Sequence, residues 1–309
     1  MSTRVKNKTL VCSAMAVLLC GPLPAGAGLR VVTTIFPLQE FARAVAGERA
    51  AVDLIMPPGA SIHNWQPRPG DMIRLASSDL FIFLGLHLEP WAGGLLESVR
   101  GKAPARLEAA AGLDLPELEE EPGHSGPEHD EHGAVDPHVW LDPVIDQRIV
   151  DKITEALCGL DPEASTVYRA NASAYKEKLR ELDALYSDSL KGCRGATLVI
   201  AGHAAFGYLA ARYGLRQTAL YGLSPDAQLS PGAMREAVEF CRGRGLKTVF
   251  FENTVSRGAA ETLARELGGR VLVLRPGHNL TRDEMAAGLT FLDIMKENLR
   301  AIKEGLGCR

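Results

Sequence analysis

After residue 27 the chain has no apolar run long enough to cross a bilayer as a helix. It has no CxxC pair, so the usual cysteine clip for a structural metal is absent. It has no HExxH, so the helix-borne site of many zinc hydrolases is also missing. No stripe of lysine and arginine offsets its formal charge of −4, which excludes a surface built to neutralise nucleic-acid phosphates.

What is there begins with Arg4, Lys6 and Lys8, the apolar stretch from Leu10 to Cys20, and Ala25-Gly26-Ala27. A basic head, a short apolar core and small residues at an A-x-A site make a secretory signal peptide over residues 1–27. The expectation is an exported, periplasmic protein starting near Gly28. Lipid anchoring at Cys20 is the alternative; Leu19 suits it poorly, because that place usually takes a small residue. Loss of the leader's three cations takes the net charge to −7. Cys158, Cys193, Cys241 and Cys308 then remain, and pairing is the default in an oxidising compartment.

The expected fold class is α/β: two lobes, each a mainly parallel sheet flanked by helices, joined by one long rigid helix. Runs rich in β-formers (30–35, 52–56, 80–84) alternate with amphipathic helices (37–47, 69–77, 89–99), as in βαβ units. Residues 115–137 are rich in Glu, Pro, Gly and His and break the rhythm, which marks a loop. A helix over 143–157 follows. Asp161-Pro162 then starts a helix predicted to run unbroken to about Lys191. Strands at 196–201, 217–220, 248–251 and 271–274 alternate with helices at 205–213, 231–242, 256–267 and 282–303. The division is an N-terminal lobe over 28–160, a connecting helix over 161–192 and a C-terminal lobe over 193–309.

Three histidines follow the carboxyl ends of strands, where open α/β sheets bind ligands. His63 lies in the loop after 52–56, His203 directly after 196–201, and His278 after 271–274. His138 stands where the acidic loop meets the next helix. Any one of them alone is an ordinary loop residue. Three imidazoles from separate loops, His63, His138 and His203, make a tetrahedral zinc site with one place left open. Asp136 or Asp142 is placed to orient His138 through its other ring nitrogen. Glu252, ending a strand, is a candidate outer partner or an interlobe ion-pair residue. Trp65, Trp91 and Trp140 are expected to wall the cleft.

The segments Gly59-Ala60-Ser61-Ile62-His63-Asn64-Trp65-Gln66-Pro67, Asp136-Pro137-His138-Val139-Trp140-Leu141-Asp142-Pro143 and Gly202-His203-Ala204-Ala205-Phe206-Gly207-Tyr208 carry a family resemblance. So does the Gly85–Trp91 segment. Over nearly the whole chain after the leader, the sequence resembles the metal-binding subunits of bacterial ABC importers for zinc and manganese (the ZnuA/TroA-like family). The resemblance implies two lobes on a rigid helix, with His63, His138 and His203 as ligands and His87, where the family has a small or apolar residue, as structural. It implies one high-affinity Zn(II), capture without catalysis, and delivery to a membrane permease by a monomer. His203, standing where manganese-type members carry a carboxylate, points to zinc, since manganese prefers oxygen. His124, His129 and His132 resemble the His-rich loop of zinc members and suggest a weak auxiliary zinc site. Many members have an aspartate after the last strand. Here Leu274-Arg275-Pro276 has none, which leaves His278 or water as the fourth ligand and Arg275 as a partner for a carboxylate such as Glu252.

The cysteines divide by position. Cys158 and Cys193 flank the long helix and are too far apart to bridge. Cys193, Cys241 and Cys308 fall near one sheet edge. The resemblance to zinc members with a disulfide near the C-terminus favours Cys241–Cys308. The alternatives for function are a manganese or iron importer subunit, a zinc-dependent hydrolase, and a zinc buffer or adhesin.

Overall fold

The computed structural model describes residues 28–99, 103–118, 135–193, 195–220, 231–252 and 257–308. The leader, Cys20, His124, His129 and His132 lie outside them. Two four-stranded sheets are present, each wholly parallel. The first contains β1 (Leu29–Thr33), β2 (Ala50–Leu54), β3 (Leu80–Phe83) and β4 (Ala105–Glu108) in the order β2-β1-β3-β4. The second contains β5 (Thr197–Ala201), β6 (Arg216–Ala219), β7 (Thr248–Glu252) and β8 (Arg270–Leu274) in the order β6-β5-β7-β8. The two lobes thus repeat one doubly wound topology, in which helical crossovers put helices over the faces of each sheet.

The first lobe's helices are α1 (Phe36–Ala46), α2 (Pro69–Ala76), α3 (Ala92–Ser98) and α4 (Pro143–Leu160). The bridge between lobes is α5 (Ser165–Leu190), and the second lobe adds α6 (Gly207–Arg212), α7 (Pro231–Gly243), α8 (Arg257–Glu266), α9 (Arg282–Ala286) and α10 (Phe291–Leu306). The strand Thr197–Ala201 is buried along its whole length, as expected for a strand covered on both faces. Its side chains alternate: Leu198 and Ile200 join the main core shared with α5 and α10, whereas Val199 and Ala201 join a separate core with α7 and α8.

At 26 residues, α5 is roughly 39 Å long. It grips both lobes along that length. Asn171 donates to Val45 O at 3.0 Å in α1, while Tyr186 donates to Met295 O at 2.5 Å in α10. Further along, Arg212 of α6 makes a two-pronged pair with Asp183 of α5 at 2.7 Å.

Three differences from the sequence expectation have physical causes. Strand β4 was not anticipated, because as an edge strand it is mostly exposed and reads Ala-Arg-Leu-Glu. The helix expected over 282–303 is two helices. Thr290 accepts from Asp293 N and Asp293 accepts from Thr290 N, a capping box that starts α10 afresh. The disulfide joins Cys193 to Cys308, with Cα atoms 5.4 Å apart, rather than Cys241 to Cys308. Cys241 belongs to the core beneath α7 and α8, on the opposite face of the sheet from α10. The last turn of α10 instead meets the 3-10 turn Lys191–Cys193 that ends α5. Cys158 and Cys241 are free and buried.

Candidate metal centre

The four histidines come from four loops. His63 lies between β2 and α2, and His138 opens the 3-10 turn Val139–Leu141 ahead of α4. His203 lies two residues beyond β5, and His278 four beyond β8. One nitrogen or another from each of His63, His138 and His203 lies within 4.8 Å of the others. The Nε2 atoms of His138 and His203 face one another at 3.0 Å. The His278 ring centroid is 6.2 Å from that of His63. His138, His203 and His278 are fully or almost fully buried, and His63 is half-buried. Among the described residues, neither ring nitrogen of His278, nor His63 Nε2, has a hydrogen-bond partner. Buried imidazole nitrogens without partners are costly unless a ligand takes up their lone pairs, so the donor set fits a borderline metal ion.

Two carboxylates stand behind two of the rings. Asp136 Oδ1 lies 2.7 Å from His138 Nδ1 and also accepts the His138 backbone N–H at 2.9 Å. Glu252 Oε2 lies 2.7 Å from His203 Nδ1, with both side chains buried. Each contact leaves the Nε2 of its histidine pointing into the cluster; the Asp136 one is a hydrogen bond, by which an outer partner sets a metal-binding tautomer, whereas the Glu252 one is close but off hydrogen-bond alignment. The motif around His203 makes room for both. A Cβ on Gly202 would collide with the Glu252 carboxylate, and one on Gly207 would fall 2.7 Å from Asp136 Oδ2.

Burial, reinforced by the charge each neighbouring ring would carry, pushes His63 down to about 3. The same causes hold His138 and His278 well below the ordinary imidazole value. All three are therefore neutral near pH 7, the form that ligates. Burial raises Asp136 to about 7, while the His138 amide works against that rise. An arriving dication favours its ionised form.

Other residues singled out in the sequence have different partners. Asp142 caps α4, accepting from Val144 N at 2.8 Å and Ile145 N at 3.4 Å, and lies 3.3 Å from Arg212 Nε. Arg275 does not pair with Glu252. Its guanidinium turns outward to Glu297 at 2.5 Å and Glu284 at 3.7 Å, because Glu252 is buried against His203. Trp140 is buried beside His138, with ring centroids 5.2 Å apart, whereas Trp65 and Trp91 pack on each other at 5.1 Å. His87 is exposed and left-handed at φ +61°.

Sequence reasoning missed Glu89, whose buried carboxylate accepts from Thr34 Oγ1, Leu84 N and Gly85 N. It pins the turn after β3, and α3 consequently starts at Ala92 rather than Glu89. It also missed Asn279 and Asn298, whose amides hold the His278 loop. Nothing in a lone asparagine signals such a role.

Two parallel α/β lobes on one spanning helix, with a cluster of neutral imidazoles at the strand ends, define a metal-receptor solute-binding protein. Residues 31–305 match the family described as "Zinc-uptake complex component A periplasmic" (ZnuA), and the chain belongs to that family. It is 36% identical over 289 residues to the high-affinity zinc uptake system protein ZnuA of Bacillus subtilis, covering 91% of this chain and 88% of that protein. It is 34% identical over 296 residues to the zinc-binding lipoprotein AdcA of Streptococcus pneumoniae, covering 95% of this chain but 59% of that longer relative. The fold is similar to that of the Zn(II)-bound ZnuA-like domain of pneumococcal AdcA, with TM-score 0.76 and 32% identity over 90% of this chain and 99% of that one.

Proposed function

We propose that this protein captures Zn(II) outside the cytoplasm and delivers it to the membrane permease of an ABC importer, binding its cargo without catalysis. The observation that carries the reading is the convergence of His63, His138 and His203 within 4.8 Å, from both lobes. Membership of the zinc-uptake family supports transport as the setting. In this reading His63, His138, His203 and His278 are the ligands, Asp136 and Glu252 orient two of them, and Asp142 serves the helix rather than the metal. An all-imidazole shell disfavours manganese, which prefers oxygen donors. His278, buried with both ring nitrogens unpartnered among the described residues, takes the fourth position ahead of water. In this reading the segment carrying His124, His129 and His132 gathers zinc weakly and passes it inward.

Titration of the metal-free protein with zinc is expected to give one tight equivalent per chain, undisturbed by excess manganese. His203→Ala abolishes that equivalent or weakens it severely. Preferential binding of manganese in direct competition would sink the reading. For the fourth ligand, X-ray absorption on the zinc-loaded protein is expected to show four nitrogen neighbours, and three in His278→Ala. An unchanged spectrum in that variant would remove His278 from the shell.

A further inference from the structure

The loop that carries His278 leaves the second lobe, yet most of its hydrogen bonds go to the first. Its root belongs to its own lobe: Asn298 of α10 accepts from Arg275 N at 2.9 Å and donates to Arg275 O at 2.8 Å. Beyond that root, Trp140 Nε1 donates to Pro276 O at 2.7 Å and Phe36 N donates to His278 O at 2.8 Å. Gly59 N then donates to Leu280 O at 2.9 Å. The Asn279 side chain completes the crossing. Its Nδ2 donates to both Pro57 O and Ala60 O at 2.9 Å, and its Oδ1 accepts from Leu280 N at 2.8 Å.

Pro57 and Ala60 bracket the turn that leads into His63. His63 is the most exposed of the four histidines, and no carboxylate contact like those behind His138 and His203 is found for it among the described residues. Its placement therefore depends on its loop, and that loop is tied by the residue next to His278. We propose that Asn279 is a positioning residue that couples His63 to His278, making the two imidazoles close on and let go of the cargo together. This rests on the zinc reading above and adds to it the means of release. Disturbing one asparagine, from either lobe, frees the half-buried His63 while His138 and His203 stay beside their carboxylates. A short neutral side chain can make the double donation only as a primary amide: a carboxylate cannot donate, and a hydroxyl can donate only once.

The test is stopped-flow transfer of zinc to a chelator from the zinc-loaded chain and from Asn279→Ala and Asn279→Ser, each also made in a His63→Ala background. Loss of two hydrogen bonds, one exposed and one half-buried, predicts release faster by about fivefold to tenfold in both Asn279 variants. With His63 already removed, the same substitutions are expected to change the rate less than about twofold. Wild-type release from either Asn279 variant overturns the proposal. So does an equal acceleration in the His63→Ala background, which would make the asparagine a general brace. Failure of the unaltered chain to hold one zinc would instead overturn the functional reading on which this rests.

Discussion

A buried imidazole among other imidazoles keeps its lone pair for a metal rather than a proton. His63 at about 3, with His138 and His278 also depressed, leaves little imidazole protonation to reverse when zinc arrives at neutral pH. Asp136, raised to about 7, is the exception. If His138 ligates the zinc as proposed, the ionised form of Asp136 is the one that supports it, and affinity should rise as pH climbs through 7. Zinc binding at pH 7 is expected to release about half a proton from this carboxyl. Calorimetry in buffers of different ionisation enthalpy measures that release, and Asp136→Asn should abolish it. Gly202 supplies a second test. A methyl there meets the Glu252 carboxylate, so Gly202→Ala should displace the partner of His203. Zinc affinity should then drop roughly 10–100-fold, the range for losing such an outer partner. The same change should cost about 1–3 kcal/mol of stability by urea denaturation, as overpacking does.

At the scale of elements, helix ends govern what the loops can do. Helix α4 begins five residues after His138, and Asp142 caps it while touching Arg212 of the second lobe. Asp142→Ala is expected to lower unfolding free energy by about 1–2 kcal/mol. Zinc stoichiometry should remain at one, since the contact that orients His138 is with Asp136. Loss of zinc binding in that variant would assign Asp142 to the site. The split between α9 and α10 was visible in principle, because Thr290-x-x-Asp293 is a capping-box pattern. Amphipathic periodicity ran across it and masked the break. Strand β4 had no such signal: an edge strand paired only to β3 has one neighbour and little apolar content.

For the whole molecule, one helix packs on both lobes and one covalent tie fixes its end to the second. Helix α5 packs on both lobes, and Cys193–Cys308 joins its C-terminal turn to the end of α10, across 115 residues of chain. Closing a loop of that length is worth roughly 4–5 kcal/mol by chain entropy. The double substitution Cys193→Ser/Cys308→Ser should lose about 2–5 kcal/mol in denaturant. Cys158→Ser, which touches no disulfide, should shift stability far less. Equal losses would contradict the pairing.

The sequence by itself determined the alternation of strands and helices, and hence two parallel lobes about a long helix, because hydrophobic period and turn residues are local properties. It also singled out the histidines, because strand ends in such sheets are where ligands sit. Tertiary structure alone decided which face of the second sheet each cysteine occupies, that Glu252 meets His203 while Arg275 turns away, and that Asn279 reaches across to the His63 loop. Those pairings join residues up to 222 positions apart. They follow from how two sheets pack on one helix, which no window of sequence contains.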